Sequence, residues 1–310
     1  MKKTAECVTP GHPDKVCDII ADSILDAYLE RDKESRTAIE VMGGHGLVVV
    51  NGEVTSKSRP DLEKIIEHIC GDVEVRTNLV TQSPEIARGV DMGGAGDQGI
   101  MKGYATSETE SRLPREYDLA RDLCQKIYER YPYDGKTQVT LNDGVVETVV
   151  ASFQKSKTED LLALMKEIIP AEKYFANPAG EWNLGGFDAD TGLSGRKLIV
   201  DNYGPEITIG GGSFSGKDHT KVDRSGAYMA RRIAVDYLEK YHAKEVFTKL
   251  AYAIGVAEPV MAVAVVDGKE MPIEGYDLTP RGIRTALGLD QVKYADTAKW
   301  GHFGHAYPWG

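Results

Sequence analysis

The sequence predicts an α+β fold with mixed or antiparallel sheets. Three successive segments have a similar content of hairpins, helices and strands, and none shows the regular strand–helix–strand alternation of a parallel α/β protein. Glycine-dense stretches over 91–103, 177–195 and 210–218 separate these elements, and such loops either move or let the backbone approach a ligand closely. The 310 residues are enough for two or three domains.

Helices are predicted where apolar residues recur at helical spacing. The first begins at Pro13, whose missing N–H suits the first helical position, and Val16, Ile20 and Ile24 continue its apolar face. The other predicted helices cover 60–70, 114–130, 158–168, 223–241 and 279–288.

Strands are predicted for short apolar or β-branched runs that turn residues bound. They cover 46–50, 73–80, 136–141, 145–153, 173–176, 196–201, 246–254 and 260–266. Asn51-Gly52 predicts a hairpin turn with a return strand from Glu53, and Asn142 to Gly144 predicts a second hairpin.

Composition narrows the possible functions. A chain that is 41% hydrophobic and 27% charged is an ordinary folded protein, and its net charge of -11 argues against nucleic-acid binding, which normally needs a basic face. No apolar run approaches the roughly 20 residues of a membrane span. The start of the sequence lacks the apolar stretch of a signal peptide, so we expect a cytoplasmic protein. The four cysteines form no C-x-x-C pair and are expected to be free thiols.

Residues 210–218, GGGSFSGKD, are the strongest candidate for a phosphate-binding loop. Their spacing fits G-x-x-x-x-G-K and ends at Lys217, but Asp218 stands where a Walker loop needs Ser or Thr for Mg²⁺. The predicted helix also begins too late, near Asp223. We therefore interpret the segment as a phosphate loop of another kind, with a plain hairpin or surface loop as the alternative.

Further cations lie beside glycine-rich turns. Arg196-Lys197 follows Gly195 at the start of a predicted strand, Lys136 begins another strand, and Lys221 follows the 210–218 loop. An arginine would hold phosphate in a planar fork and a lysine as a point charge. Each cation alone is more often solvated, so the prediction depends on their combination.

Carboxylates accompany the same turns, where hard oxygen ligands beside phosphate commonly hold Mg²⁺. For any single aspartate, a role in a turn or a helix cap is equally expected. His12 precedes Pro13 at a helix start, where the helix N-terminus can face phosphate oxygens. The candidate carboxylates are Asp14, Asp97, Asp134, Asp190, Asp218 and Asp223.

Several of these segments together resemble the methionine adenosyltransferase (S-adenosylmethionine synthase) family. They occur in the family's order and cover nearly the whole chain, and the combination of GHPDK, GAGDQG and GGG-x-FSGKD is highly specific. The segments are GHPDK (11–15), GAGDQG (94–99), GYAT (103–106), DGKTQVT (134–140), TGLSGRK (191–197), GGGSFSGKD (210–218), KVDRS (221–225), YAIGVAEP (252–259) and GHFG (301–304).

The resemblance implies a reaction between ATP and L-methionine. The methionine sulfur attacks C5′ of ATP and expels triphosphate, which is then hydrolysed to pyrophosphate and phosphate. It also implies two Mg²⁺ ions per site and a K⁺ ion.

The resemblance further implies roles for individual residues. Catalysis would involve His12, Lys136, Arg196, Lys197 and Lys217, and ATP binding would add Asp134, Trp182, Asp190 and Ser213. Methionine would be bound by Glu53, Gln82, Asp97, Asp190 and Lys221. Asp14 and Asp223 would hold Mg²⁺, Glu40 would hold K⁺, and Glu6 would shape the site from a partner subunit.

The implied architecture is three similar, interleaved domains related by pseudo-threefold symmetry. Their approximate bounds are 1–92, 93–178 and 179–310. Active sites form between subunits in the family, so a homodimer is expected, possibly paired into a dimer of dimers. The stretch from Gln82 to Asp97, which carries the family's mobile lid, is shorter than in typical bacterial members. We therefore expect a smaller lid and a methionine pocket that tolerates bulkier S-alkyl analogues.

Two other functions are consistent with parts of the sequence. A phosphotransferase or NTPase of the phosphate-loop class would need Ser or Thr at position 218 and would release ADP. A non-catalytic regulatory subunit of the same family would be expected to lose His12, Lys217 or Asp223, and all three are present.

Overall fold

The computed structural model describes residues 1–83, 89 and 92–310, and in this part of the chain it confirms the α+β class. The strands are β1 (Lys2–Val8), β2 (Arg36–Gly44), β3 (Leu47–Thr55), β4 (Glu74–Val80), β5 (Gly99–Thr106), β6 (Gly135–Asn142), β7 (Val145–Phe153), β8 (Lys173–Ala176), β9 (Gly192–Leu193), β10 (Glu245–Tyr252), β11 (Met261–Val266) and β12 (Lys269–Pro272). The helices are α1 (Pro13–Arg31), α2 (Leu62–Cys70), α3 (Arg115–Arg130), α4 (Thr158–Ile168), α5 (Leu198–Asp201), α6 (Val222–Tyr241), α7 (Pro280–Ala286) and α8 (Tyr294–Thr297).

The strands form three four-stranded sheets that exchange strands between distant parts of the chain. Each sheet is built around an antiparallel hairpin: β2–β3, β6–β7 or β10–β11. The first strand of each hairpin pairs antiparallel with a strand from another segment, so that β9 joins β2, β1 joins β6 and β5 joins β10. This cyclic exchange confirms that the units are interleaved.

Three clusters of buried apolar side chains fill the space between these sheets and the helices. In one of them, Cys17, Ile20 and Ile24 of α1 pack with Ile39 of β2 and Val48 of β3. The apolar spacing that predicted α1 is thus the face that it buries. The long helices α3 and α6 pack in the same way on the β1–β6 and β5–β10 pairs.

The predicted hairpin at Asn51-Gly52 is wrong. The turn lies at His45-Gly46, where φ values of 53° and 79° give the left-handed geometry of a tight two-residue hairpin. Gly52 instead lies within β3, where a Cβ would stand 2.0 Å from the carbonyl oxygen of Ala38. Glycine is therefore required there because β2 approaches closely, and not because the chain turns.

The predicted strand over 196–201 is also wrong. Leu198–Asp201 forms the helical turn α5, with Val200 and Asp201 buried. Arg196 and Lys197 consequently lie in a loop after the short strand β9, and not at the start of a strand. The strands β1, β2, β5, β9 and β12 were not predicted.

Free cysteines agree with the sequence-based expectation, since Cys7, Cys17 and Cys124 are buried thiols and Cys70 is half-buried. Within residues 1–83, 89 and 92–310, no helix has both the length and the apolar character that crossing a membrane requires.

Candidate active site

The N-terminus of α1 forms the first part of the candidate site. His12 caps the helix, and its Nδ1 accepts a hydrogen bond from the Asp14 backbone N–H at 3.2 Å. The loop around β9 crosses directly over this helix start, because a Cβ on Gly192 would lie 2.1 Å from the carbonyl oxygen of Pro13. Asp14 fixes that crossing by accepting the Leu193 backbone N–H at 3.0 Å.

Two predicted phosphate-binding cations converge on Asp14. Lys197 Nζ lies 2.5 Å from Asp14 Oδ2, and Arg196 Nε lies 3.7 Å from Oδ1. Burial opposes ionisation of Asp14, but the hydrogen bond and charge of Lys197 outweigh it and hold the pKa of this carboxyl below its usual value. Arg196 remains more than half exposed, so its guanidinium can reach an incoming anion.

His12 is neutral in the folded protein at ordinary pH. Burial, followed by the nearby charge of Lys197, lowers the pKa of His12 from 6.5 to about 4. Lys136 and Asp190 also act electrostatically on this ring, so both lie close to it. Because Nδ1 accepts the Asp14 N–H, the neutral ring carries its proton on Nε2, which can donate a hydrogen bond to a phosphate oxygen at this helix N-terminus.

Replacing His12 with Asn is expected to weaken the dependence of stability on pH. In the wild type the unfolded chain binds the His12 proton below pH 6.5 and the folded protein only below about 4, so stability falls as pH drops through this window. The loss should be about 3 kcal/mol, and Asn should avoid it while still capping α1. Urea unfolding of both proteins at several pH values measures the difference. Parallel curves for the two proteins would contradict the lowered pKa.

The start of β6 adds Asp134 and Lys136 to this region. Lys136 Nζ lies 2.6 Å from Glu6 Oε2 on the neighbouring strand β1, so Glu6 is paired within its own chain. Asp134 accepts the Gly186 backbone N–H at 2.9 Å, and burial raises the pKa of its carboxyl. The structure thus brings together His12, Asp14, Asp134, Lys136, Arg196 and Lys197, which we call the α1 cluster.

Trp182 and Asp190 lie on the loop between β8 and β9. Trp182 is half-buried, and its ring packs so closely that a Cβ on Gly185 would stand 2.7 Å from it. The Asp190 carboxylate is exposed and accepts the Thr191 backbone N–H at 2.7 Å. An aromatic face and an exposed carboxylate therefore lie on the loop that leads into the α1 cluster.

A second group of predicted residues, which we call the Lys217 cluster, surrounds the 210–218 loop. Lys217 Nζ lies 2.8 Å from Asp223 Oδ2 near the start of α6. The other oxygen, Oδ1, faces Gly212, where a Cβ would stand only 2.3 Å away. Ser213 brings this loop against the α1 cluster. A Cβ on Gly195, the residue before Arg196, would lie 2.8 Å from the Cβ of Ser213.

Both loops run along one edge of β2. Ser194 N–H donates to the Val41 carbonyl at 2.8 Å, and Ile39 N–H donates to the Gly216 carbonyl at 3.1 Å. Lys217 itself bridges to Ala38. The Ser194 contact at Val41 and the Lys217 contact at Ala38 are therefore about 10 Å apart along β2. Between them the Glu40 carboxylate, predicted to bind K⁺, accepts the Ser194 hydroxyl at 2.5 Å.

Of the five predicted methionine-binding residues, Asp190 lies beside the α1 cluster, and the other four lie on segments that adjoin the Lys217 cluster. Glu53 lies opposite Ala38, on the side of β2 away from Lys217, and Gln82 follows Val80, the partner of Glu53 on β4. Asp97 lies two residues before Gly99, and Gly99 is close to the Lys217 cluster because a Cβ on it would stand 3.4 Å from Asp223 Oδ1. Lys221 pairs with buried Asp218 at 2.6 Å. Of the predicted lid, Gln82 to Asp97, residues 84–88 and 90–91 lie outside the described residues.

The phosphate-loop alternative does not agree with the geometry. Residues 210–214 are not preceded by a strand, and α6 begins at Val222, five positions after Lys217. Asp218 is fully buried and accepts the Thr37 backbone N–H at 2.7 Å, so it holds β2 and does not face a ligand. Asp218 is therefore a structural residue, which corrects its inclusion among the Mg²⁺ candidates.

The carboxylates present suit Mg²⁺ that is shared with a substrate. Among the described residues no group of three or more His, Cys, Asp or Glu side chains could hold a metal by itself. Mg²⁺ in polyphosphate sites commonly takes only one or two carboxylates, with phosphates and waters as the other ligands. Asp14 and Asp223 fit this requirement, because each is largely buried beside a lysine and a glycine-rich loop.

Sequence reasoning missed a set of buried ionic residues beneath both loops. Lys15, Asp18, Asp22 and Arg224 are all at most 1% exposed and are paired with one another or with Asp201. The four-residue spacing of Asp14, Asp18, Asp22 and Asp26 on α1 was a readable signal, since it places all four on one face of the helix.

The exchanged sheets and the cation-bearing loops define an α+β enzyme of the methionine adenosyltransferase class, because proteins of that class match both the sequence and the fold. Models of the S-adenosylmethionine synthetase N-terminal, central and C-terminal domains match residues 1–88, 92–181 and 184–310. The chain belongs to the S-adenosylmethionine synthetase family.

Individual relatives match over nearly their full length. An S-adenosylmethionine synthase of Petrotoga mobilis is 40% identical, and the match covers 100% of this chain and 96% of the relative. The structure of an unusual S-adenosylmethionine synthetase from Campylobacter jejuni superposes with a TM-score of 0.88 at 34% identity, covering 99% of this chain and 96% of the other.

Proposed function

We propose that this enzyme makes S-adenosylmethionine by attack of the methionine sulfur on C5′ of ATP, with release of triphosphate that is then hydrolysed to pyrophosphate and phosphate. The observation that supports this best is the pair of glycine-rich loops on one edge of β2. Each loop carries a lysine paired with a largely buried aspartate, Lys197 with Asp14 and Lys217 with Asp223.

The residues suit this chemistry because the nucleophile needs no base. A thioether sulfur carries no proton, so the barrier lies in aligning sulfur with C5′ and in stabilising a highly charged leaving group. Lys136, Arg196, Lys197 and Lys217 would contact the triphosphate, and preorganised charges of this kind stabilise developing negative charge strongly. His12, neutral and at a helix N-terminus, would donate to the oxygen that leaves C5′.

The remaining predicted residues would bind the two substrates and the ions. Trp182 would stack on adenine, and Asp134, Asp190 and Ser213 would hold other parts of ATP. Glu53, Gln82, Asp97 and Lys221 would orient methionine. Mg²⁺ at Asp14 and Asp223 would neutralise triphosphate charge when bound, and K⁺ would lie at Glu40. A cytoplasmic location remains a prediction from the sequence.

The direct test is incubation with ATP, methionine and Mg²⁺. Mass spectrometry should detect the sulfonium product, and phosphate analysis should find pyrophosphate and phosphate in equal amounts. Release of ADP would identify a phosphotransferase or an ATPase instead. Absence of turnover by folded protein with both substrates bound would identify a regulatory subunit.

We further propose that two subunits complete each site. Large apolar side chains remain exposed around the clusters in the single chain, including Met42 and Leu193 next to Glu40 and Ile199 next to Lys197. Exposed apolar residues grouped beside polar ones commonly mark an interface. A dimer that buries this surface would place the α1 cluster of one subunit near the Lys217 cluster of its partner.

Mixing two inactive variants tests this arrangement. If Lys197 and Lys217 of one site come from different subunits, a heterodimer of Lys197→Met and Lys217→Met contains one intact site and one doubly altered site. Refolding the two variants together should restore activity, up to about a quarter of the wild-type value if subunits pair at random and sites act independently. Mixtures that dimerise by light scattering but stay inactive would show that each site belongs to one subunit.

A further inference from the structure

Helix α1 carries four aspartates, one every four residues, and each accepts a backbone N–H from a distant segment. Asp14 accepts from Leu193 at 3.0 Å, Asp18 from Gly195 at 2.9 Å and Asp22 from Gly216 at 2.8 Å. Asp26 accepts from Tyr294 and Ala295 at 2.9 and 3.0 Å. The first three donors lie in the two glycine-rich loops, and the last two do not.

Asp18 belongs to a buried ionic group that attaches the first loop. Lys15 Nζ lies 3.1 Å from Asp18 and 2.5 Å from Asp201, which ends α5 directly after Arg196-Lys197. The loop is therefore tied to α1 on both sides of its cations, through Gly195 before them and Asp201 after them.

Asp22 attaches the second loop in the same way. Its carboxylate accepts the Gly216 N–H and pairs with both terminal nitrogens of Arg224 at 2.6 and 2.8 Å. Arg224 Nη1 in turn donates to the carbonyl oxygens of Phe214 and Lys217 at 3.0 and 3.2 Å. The backbone that carries Lys217 is thus held on both sides by one buried ion pair.

The two contacted glycines can hardly be replaced. Gly195 and Gly216 have φ values of 72° and 82°, the left-handed region that favours glycine. Asp18 and Asp22 are one helical turn apart, about 6 Å along the axis, so each loop is held at its own point on α1. Apolar residues could fill these buried positions at less electrostatic cost, but they could not hold the loop amides.

We infer that Asp18 and Asp22 are positioning residues, each of which holds one cation-bearing loop on α1: Asp18 fixes the loop that leads to Lys197, and Asp22 fixes the loop that carries Lys217. The inference rests on the proposed function, because that function assigns both lysines to the triphosphate, one from each of the two subunits that complete a site. A displacement of either loop by about 1 Å is enough to cost on the order of 10²-fold in rate.

The test compares Asp18→Ala and Asp22→Ala with Asp26→Ala, a matched control on the same helix with the same kind of backbone contact. Alanine is used because it removes the oxygen that accepts the loop N–H, whereas asparagine would keep an acceptor. Initial rates over a range of ATP and methionine concentrations give kcat and KM for each folded variant. We expect kcat to fall about tenfold or more for Asp18→Ala and Asp22→Ala, with KM for ATP changed less than about threefold. Asp26→Ala should keep kcat within about twofold even where it lowers the melting temperature.

Asp18→Ala is expected to fold because Asp201 still balances Lys15, so it supports the test even if Asp22→Ala is not recovered as folded protein. A kcat loss equal in all three variants, or wild-type kcat in Asp18→Ala, would overturn the inference. Both outcomes leave the proposed function intact, since that function fails only if the wild-type enzyme forms no sulfonium product.

Discussion

Replacing Lys217 with Met is expected to lower kcat by about 10²- to 10³-fold or more, because one preorganised charge on a developing anion contributes roughly 3 kcal/mol or more. The ammonium of Lys217 is largely buried, 2.8 Å from Asp223, on a loop whose Gly210 and Gly212 let the backbone pass close to Ile100 and Asp223. Methionine keeps much of the apolar volume and removes the charge. Steady-state measurement of sulfonium product over a range of ATP concentrations gives the change.

The matched control for this prediction is Lys126→Met on α3. Lys126 also forms an ion pair with an aspartate, Asp122, at 2.7 Å, but both side chains are half exposed and far from the glycine-rich loops in the fold. Its loss should leave kcat unchanged and alter stability by less than about 1 kcal/mol. Near-normal turnover of folded Lys217→Met would show that the 210–218 loop does not hold the triphosphate.

Elements specified by local chemistry were predicted correctly. Pro13 and the apolar spacing after it fix the start and the buried face of α1, and neither depends on distant residues. The β6–β7 hairpin was found because Asp143 and Gly144 take φ values of 48° and 81°, which few other residue pairs adopt easily. The family resemblance added the interleaving, which the exchanged pairing of β1, β5 and β9 confirms.

Features set by distant contacts were predicted poorly. Asn51-Gly52 is a strong local turn signal, but Gly52 serves the close approach of β2, which only the folded sheet reveals. Residues 196–201 have a strand-like composition, but Lys15 draws Asp201 into a buried pair that favours a helical turn. Strands β1 and β5 pair with segments at least 128 residues away, so their own sequences carry a weak signal.

The same limit applies to the site. Sequence patterns and the resemblance named Asp14, Lys197, Lys217 and Asp223, and the structure pairs each lysine with one of the aspartates. Which carboxylate meets which cation depends on the crossing of β9 over α1 and on the path of the 210–218 loop along β2. Asp18 and Asp22, which lie beneath the loops, are not part of the motifs that carried the resemblance, although their four-residue spacing on α1 is visible in the sequence.

Replacing Arg224 with Leu is expected to lower the free energy of unfolding by about 3–5 kcal/mol, the largest stability effect that we predict. Arg224 and Asp22 are at most 1% exposed. Removing the guanidinium leaves the Asp22 carboxylate charged and buried, with only the Gly216 N–H among the described residues to donate to it. Arg224 also donates to Phe214, Lys217 and Thr297, so three further acceptors lose a partner.

The matched control lies two turns further along the same helix. Arg232 also pairs with an aspartate, Asp236, with its Nε 2.9 Å from the carboxylate, but its side chain is 46% exposed. Water can replace that pairing, so Arg232→Leu should cost less than about 1 kcal/mol. Urea unfolding followed by circular dichroism compares the two variants with the wild type. Equal losses would mean that burial does not set the strength of these pairs, and that the Asp22–Arg224 pair does not anchor the 210–218 loop as its geometry indicates.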